Sequence, residues 1–211
     1  MSEFWEDSFK GKGEMWGWQP ADTAIVTLEL FKQHELYTIL IPGFGYGRNA
    51  KVFIDAGFEV SGIEISNTAI EIANQEFGDH IKLHHGSVEL MPFDQELFDG
   101  IFCYALLHLL SAAERKKLID DCYKQLKPDG YMVFVSLSTL DLRYGQGNEI
   151  SKDTFAMPHG VNLFFYDSDA IQSEFKNYGL LNAEVLNEPL QISADKPGQK
   201  FWYIVCKHQS H

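Results

Sequence analysis

From residue 37 onward, short apolar runs alternate with segments whose apolar residues recur every three or four positions. That alternation predicts parallel strands joined by crossover helices. Tyr37 to Ile41 reads as the first strand, Val60 to Ile65 as the second, Ile81 to His84 as the third and Asp99 to Tyr104 as the fourth. Asn49 to Ala56 predicts a helix stopped by Gly57. Ser66 can cap a helix running to Phe77, with Ile70, Ala73 and Phe77 on one face and Gly78 just beyond. The clearest helix begins at Ser111, where Glu114 completes a capping box and Leu118, Ile119, Cys122, Tyr123 and Leu126 form the apolar stripe. Pro128 and Gly130 are expected to end it, ahead of a fifth strand from Tyr131 to Ser136. Ser138 to Asp167 shows no period and is expected to be irregular, and Ile171, Phe175 and Tyr178 then mark a helix stopped by Gly179. Two closing strands, about Ala183 to Leu190 and Phe201 to Cys206, flank a turn region with Pro189, Pro197 and Gly198, which predicts a hairpin and hence an antiparallel strand.

The 211 residues suit one domain. Its expected parts are an aromatic N-terminal arm and helix (1–36), a core (37–136), a loop on the ligand side (137–168) and a closing helix and hairpin (169–211). Lys and Arg total 17 against 30 Asp and Glu, a net charge of -13, with no basic stripe. Nucleic acid and anionic membrane are therefore poor partners. Cys103, Cys122 and Cys206 stand in no metal-ligand spacing, so no metal is expected and free thiols in a reducing compartment are. Glu3, Glu6 and Asp7 do not fit a secretory signal, and no apolar run reaches the length of a membrane span, so a cytoplasmic soluble protein is expected.

Gly43-Phe44-Gly45-Tyr46-Gly47 lies between a predicted strand and a predicted helix, where small residues let the backbone approach a ligand. The same glycines could serve only a tight turn. Glu64 ends the second strand, placed either to accept hydrogen bonds from ribose hydroxyls held over that loop or as a surface carboxylate. A dinucleotide site wants its third glycine at position 48, but Arg48 stands there, which counts against an NAD-dependent oxidoreductase.

The run Ile39-Leu40-Ile41-Pro42-Gly43-Phe44-Gly45-Tyr46-Gly47-Arg48-Asn49 resembles motif I of class I S-adenosylmethionine-dependent methyltransferases. Leu-Ile-Pro-Gly is similar to the thiopurine, thiol and halide types. Gly47-Arg48-Asn49 with Gly57-Phe58-Glu59-Val60 is similar to the tellurite-resistance type. The resemblance continues through Gly86 to Phe93, Phe98-Asp99, Leu106-Leu107-His108 and Leu126 to Tyr131, covering roughly residues 37 to 136. It implies an α/β, Rossmann-like doubly wound seven-stranded sheet with a C-terminal antiparallel hairpin. It implies the methionine moiety of S-adenosyl-L-methionine along Gly43, Phe44, Gly45, Tyr46 and Gly47, and the ribose on Glu64. The adenine would lie between Ile65 and the Ser87-Val88 turn, with Tyr104 and Ala105 close to the sulfonium. Ile41, Phe44 and Ser87 depart from the residues common there, which are Asp, Cys and Asp.

Methyl transfer from a sulfonium is an in-line displacement, so alignment supplies much of the acceleration and a soft anionic acceptor needs no base. For an oxygen or nitrogen acceptor, His108 and His159 are the candidate bases, and a structural role for His108 is the competing reading. Trp16 and Trp18, in an arm that also holds Phe4, Trp5 and Phe9, are candidate substrate-binding residues of a lid, or else simply pack on the domain. Tyr144 and Phe165, in the long connection after the fifth strand, are candidates for a pocket wall or parts of a peripheral insertion. Methylation of a small acceptor is the expected activity. A non-catalytic module that binds the methyl donor is the alternative from another class.

Overall fold

A computed structural model describes residues 2–92, 96–158, 160–191 and 198–209. Seven strands form one sheet in the order β3-β2-β1-β4-β5-β10-β9: β1 Thr38–Pro42, β2 Glu59–Glu64, β3 Ile81–His85, β4 Phe98–Tyr104, β5 Leu126–Leu137, β9 Leu180–Glu188 and β10 Gln199–Lys207. Strands β1 to β5 run parallel, and β10 lies antiparallel between β5 and β9. The chain winds outward from β1 to β3 and then crosses back to β4. That reversal opens a crevice beyond the carboxyl ends of β1 and β4, the place where open α/β sheets hold their ligands. The expected doubly wound sheet with its closing hairpin is therefore the architecture found.

Central strands are apolar on both faces because helices cover both. Leu40, Ile63, Ile101, Cys103 and Phe134 pack with Leu118, Ile119 and Cys122 of α5 (Ala112–Lys124) and Ile171 and Phe175 of α6 (Ser168–Phe175). On the other face Ile39, Ile41, Phe102, Val133 and Val135 pack with Phe31 of α2 (Asp22–Gln33), Phe53 of α3 (Lys51–Asp55) and Phe77 of α4 (Asn67–Phe77). Cys103, Cys122 and Cys206 are free, as expected, and all three are buried.

Three sequence expectations are corrected. Leu126 does not belong to the α5 stripe; the helix ends at Lys124 and Leu126 is the first residue of β5, paired with Phe98. Pro128 and Gly130 consequently lie within β5 rather than stopping a helix. The helix expected from Asn49 to Ala56 does form, as the short α3. Most consequential, the stretch expected to be irregular holds a three-stranded antiparallel sheet of β6 (Asn148–Ser151), β7 (Thr154–Ala156) and β8 (Asn162–Phe164). It caps the crevice side of the fold, with Phe155, Leu163 and Phe165 joining the core around Phe201. Pro197, named above for the hairpin turn, lies outside the described residues.

The N-terminal arm is helix α1 (Ser2–Lys12), which crosses the start of α4. Phe9 is buried against Tyr46 and Ala69, and Trp5, Met15 and Trp18 close around that small cluster. Its aromatic residues thus fold onto the glycine loop, the apolar surface nearest to them in space.

Candidate active site

The glycine loop leaves β1 in a conformation that side chains resist. Gly47 has φ +90°, and a Cβ there would stand 2.4 Å from Phe77 Cε2 and 2.9 Å from Phe44 Cε1. Gly43 and Gly45 also have positive φ, so the alternating glycines are required by the backbone as well as by any ligand. The loop is held by Glu64. Gly45 N–H donates to its Oε2 at 2.7 Å, and the N–H groups of Ile65 and Ser66 each donate to Oε1 at 2.9 Å. Glu64 is only 6% exposed, and burial pushes its pKa up against the downward pull of these bonds and of His85. A carboxylate oxygen offers about two lone-pair sites, so Oε2 keeps acceptor capacity toward the crevice.

The expected cofactor residues do not all face outward. Phe44 is buried beneath the loop, where a Cβ on Gly62 would meet its ring, so it offers the crevice backbone only. Tyr46 is 1% exposed, its hydroxyl donating to Gly17 O at 2.7 Å and accepting from Trp16 N–H at 3.2 Å. Its side chain therefore ties the arm to the loop. Ile65 and Val88 are half-buried at the ends of β2 and β3, where His85 Nε2 bonds Ile65 O at 3.1 Å. Ser87 Oγ accepts from Glu89 N–H at 3.3 Å and shapes the turn after β3.

At the end of β4, Ala105 takes φ +55°, a left-handed conformation costing a residue with a Cβ roughly 1–2 kcal/mol. Leu106 then lies over the loop, its Cδ2 3.1 Å from where a Cβ on Gly43 would be. Tyr104 stacks on Phe201 of β10 at 5.9 Å, with Arg48 Cζ 6.0 Å from its ring centroid. Burial and the charge of Glu188 push the Tyr104 phenol up to about 12, and Arg48 pulls the other way. The hydroxyl is thus a neutral donor at physiological pH.

His108 is 7% exposed, its ring beside Phe201 and its Nδ1 3.5 Å from Ser136 Oγ. Burial, with a smaller push from Arg143, lowers its pKa to about 3. A neutral imidazole of that basicity drives proton abstraction poorly, which favours the structural reading of His108. His159, the other candidate base, lies outside the described residues. His108 also borders a cleft of about 460 Å³ between the start of α5 and the small sheet, with Arg115, Thr154 and Asn162 among its walls.

Trp16 is 50% exposed and stacked parallel to Tyr46 at 6.2 Å, whereas Trp18 meets Tyr46 and Phe77 edge-on. Tyr144 is partly exposed and donates to Asp153 Oδ1 at 2.7 Å. Phe165 is a correction: with 0% exposure between Tyr144 and Phe155, it supports the cap from inside and cannot touch a substrate. Sequence reasoning did not single out Arg48, Leu106 or Glu188 as site residues, because their relevance depends on which strand ends they meet.

Residues 40–134 match the methyltransferase-domain family. Residues 40–134 thus carry a methyltransferase domain, and the chain is similar to the class I S-adenosylmethionine-dependent methyltransferases. It is 28% identical over 155 residues to thiocyanate methyltransferase 1 of Arabidopsis thaliana, covering 72% of this chain and 68% of that protein. Its fold is similar to that of an S-adenosylmethionine-dependent methyltransferase from Methanosarcina mazei, with TM-score 0.70 and 17% identity over 82% of this chain and 93% of that one. It is also similar to the Burkholderia thailandensis 1,6-didemethyltoxoflavin-N1-methyltransferase with bound S-adenosylhomocysteine, with TM-score 0.68 and 14% identity over 97% of this chain and 82% of that one. The methyl donor is S-adenosyl-L-methionine. The positive-φ loop and the buried carboxylate at the end of β2 are the residues that could hold its adenosyl group. Among the described residues no helix is long and apolar enough to cross a membrane, and no cluster of potential metal ligands is found.

Proposed function

We propose that this methyltransferase transfers a methyl group to a small-molecule acceptor with a soft nucleophilic atom, a thiol or another chalcogen. The observation that carries the reading is the crevice between β1 and β4, where the Gly43–Gly47 backbone and Glu64 face a mouth at which His108, the candidate base among the described residues, is kept neutral by burial. The thiocyanate methyltransferase similarity supports the same acceptor class. When bound, the donor supplies an electrophilic methyl group on a positively charged sulfur. Glu64 holds the ribose hydroxyls through its free acceptor capacity, the loop from Gly43 to Gly47 runs along the methionine moiety, and Ile65, Ser87 and Val88 flank the adenine. Tyr104 and Ala105 set the near wall of the acceptor site, and Leu106 excludes water above Gly43. Trp16, Trp18 and Tyr144 border the mouth, the tryptophans as part of an arm that covers the loop. A soft anion needs no proton removed, which suits a site where His108 stays neutral. The whole chain acts as one catalytic unit in this reading, and its net charge of -13 favours a small acceptor over nucleic acid.

Calorimetry with S-adenosylhomocysteine and a transfer screen over thiols, thiocyanate, halides, selenite, tellurite, amines and small acids test the proposal. Product release with sulfur or selenium acceptors is the expected result. Transfer confined to amines or acids would sink the acceptor assignment, and cofactor binding without turnover on any acceptor would point to a regulatory module.

A further inference from the structure

Arg48, Arg115 and Arg143 are the chain's arginines. Two of them are neutralised. Arg115 is buried and forks onto Glu174, its Nη2 3.0 Å from Oε1, while Arg143 Nε lies 2.7 Å from Asp141 Oδ1. Arg48 differs: half-buried at the mouth of the crevice, it has no carboxylate within ion-pair distance among the described residues. The acid whose charge reaches the same place, Glu188, spends both oxygens on the start of α2. Its Oε1 accepts from Asp22 N–H, and its Oε2 accepts from Thr23 N–H and Oγ1.

The direction of Arg48 matters as much as its isolation. The adenosyl half of the crevice lies over β1, β2 and β3, where Glu64, Ile65 and Ser87 sit. Arg48 leans the other way, across β4 to Tyr104, which stacks on Phe201 of β10. The guanidinium has only donors, and the Tyr104 hydroxyl stays protonated and can donate. Two donor groups, one charged, therefore meet on the acceptor side with no anion assigned to them.

We propose that Arg48 and Tyr104 form the anion-holding part of the acceptor site and that the acceptor is a small soft monoanion, such as a thiolate or pseudohalide. This rests on the methyl-transfer reading above. In the transfer a bond forms between the acceptor's nucleophilic atom and the methyl carbon. The carbon–sulfonium bond breaks with its electron pair staying on the donor's sulfur, and no proton moves. The acceptor leaves as a neutral molecule, so Arg48 loses its ion partner in the same step and product release is favoured. Arg48 is a specificity-determining residue here, since it selects charge on the acceptor and performs no chemistry.

The test uses the whole protein with thiocyanate, hydrosulfide and iodide as anionic probes and pyridine as a neutral nucleophile. Thiocyanate binding to the protein saturated with S-adenosylhomocysteine is measured by calorimetry, and KM and kcat by release of that product. The expected result is anion binding and turnover well above pyridine turnover. Arg48→Gln should raise KM for thiocyanate about tenfold or more with kcat changed about threefold or less. Arg48→Lys should recover most of the loss, and Tyr104→Phe should show a smaller rise. Affinity for S-adenosylhomocysteine should stay within about threefold in both Arg48 variants.

An unchanged thiocyanate KM in Arg48→Gln overturns the proposal. A parallel loss of S-adenosylhomocysteine affinity also overturns it, because Arg48 would then hold the donor's own carboxylate. Should the glutamine variant fail to fold, the wild-type comparison decides: pyridine turnover without anion turnover sinks the anion site and leaves methyl transfer standing. A wild-type protein that binds no S-adenosylhomocysteine and transfers nothing sinks the underlying reading instead.

Discussion

Glu64→Gln is the substitution that best separates the structural and ligand-binding duties of the crevice. Three backbone N–H groups converge on a group that is all acceptor. A glutamine can keep its oxygen on Ile65 and Ser66, but its amide nitrogen then faces the Gly45 N–H, donor against donor. Losing one charge-assisted bond and leaving a buried donor unpaired costs roughly 2–5 kcal/mol. Burial already pushes the Glu64 pKa up, so the neutral amide recovers some desolvation, and the lower end, about 2 kcal/mol, is expected. For a chain of this size that is a fall of about 4–8 °C in Tm. The same change removes an acceptor for a ribose hydroxyl, worth about 10- to 100-fold in Kd for S-adenosylhomocysteine. Scanning calorimetry and titration calorimetry on one preparation read both quantities. A lowered Tm with wild-type ligand affinity would show that the carboxylate only clasps the loop, and the ribose assignment would fall. Unchanged values in both would refute the accounting of its hydrogen bonds.

Gly47→Ala combines a left-handed backbone with a Cβ driven into Phe77 and Phe44, so a loss of about 2–5 kcal/mol is expected by denaturant titration. A stability within error of wild type would contradict the loop geometry. His108 remains neutral in the folded protein down to about pH 3, whereas the unfolded chain takes up the proton near pH 6.5. Its contribution is therefore fully present above pH 6.5 and falls as pH drops, reaching a loss of ~2 kcal/mol at pH 5. His108→Gln should flatten the Tm difference between pH 7.5 and 5, and parallel declines in both proteins would refute this. Removing one partner of the buried Arg115–Glu174 pair by Arg115→Ala should cost about 3–5 kcal/mol, with the double variant Arg115→Ala/Glu174→Ala losing less than the sum of the singles. Additive losses would show that the pair does not act as a unit.

What the sequence made legible was what local spacing encodes. The Ser111 capping box forms with Glu114, Ser66 caps α4, and the glycine loop sits between β1 and α3 with Glu64 at the end of β2. The limits have physical causes as well. Strands β7 and β8 are three residues each, too short for an alternating period, and their pairing partners come from elsewhere in the cap. Leu126 continues the helical stripe of α5 because the strand after it also needs an apolar residue, so periodicity alone cannot mark that boundary. Aromatic composition announced a crowded mouth but not which rings face it. Phe44, Tyr46 and Phe165 point into packing, and Trp16 keeps an exposed face. Arg48 stood within a recognisable motif, yet its lack of a carboxylate partner and its approach to Tyr104 are facts of three-dimensional neighbourhood.

The arm and the crevice meet at Ser66 as well as at Tyr46, which gives the fold a reason to keep them together. Ser66 N–H donates to Glu64, its Oγ accepts the capping bond from Ala69 N–H at 3.1 Å, and its hydroxyl donates to Glu6 Oε2 at 2.6 Å. Glu6 also accepts from Thr68, and these side-chain bonds hold its pKa down near 2. One carboxylate from β2 and one from α1 therefore share the backbone amides at the start of α4 that have no partner within the helix, where the helix dipole favours negative charge. Glu64 orients the loop and Glu6 orients the arm, while Tyr46 joins loop to arm from the other side through Gly17 and Trp16. Displacing α1 would break the Glu6 bonds and uncover the Tyr46 ring together, so the arm is ordered by the same groups that order the glycine loop. An arm anchored in that way contributes to the shape of the crevice even where none of its side chains touches a ligand.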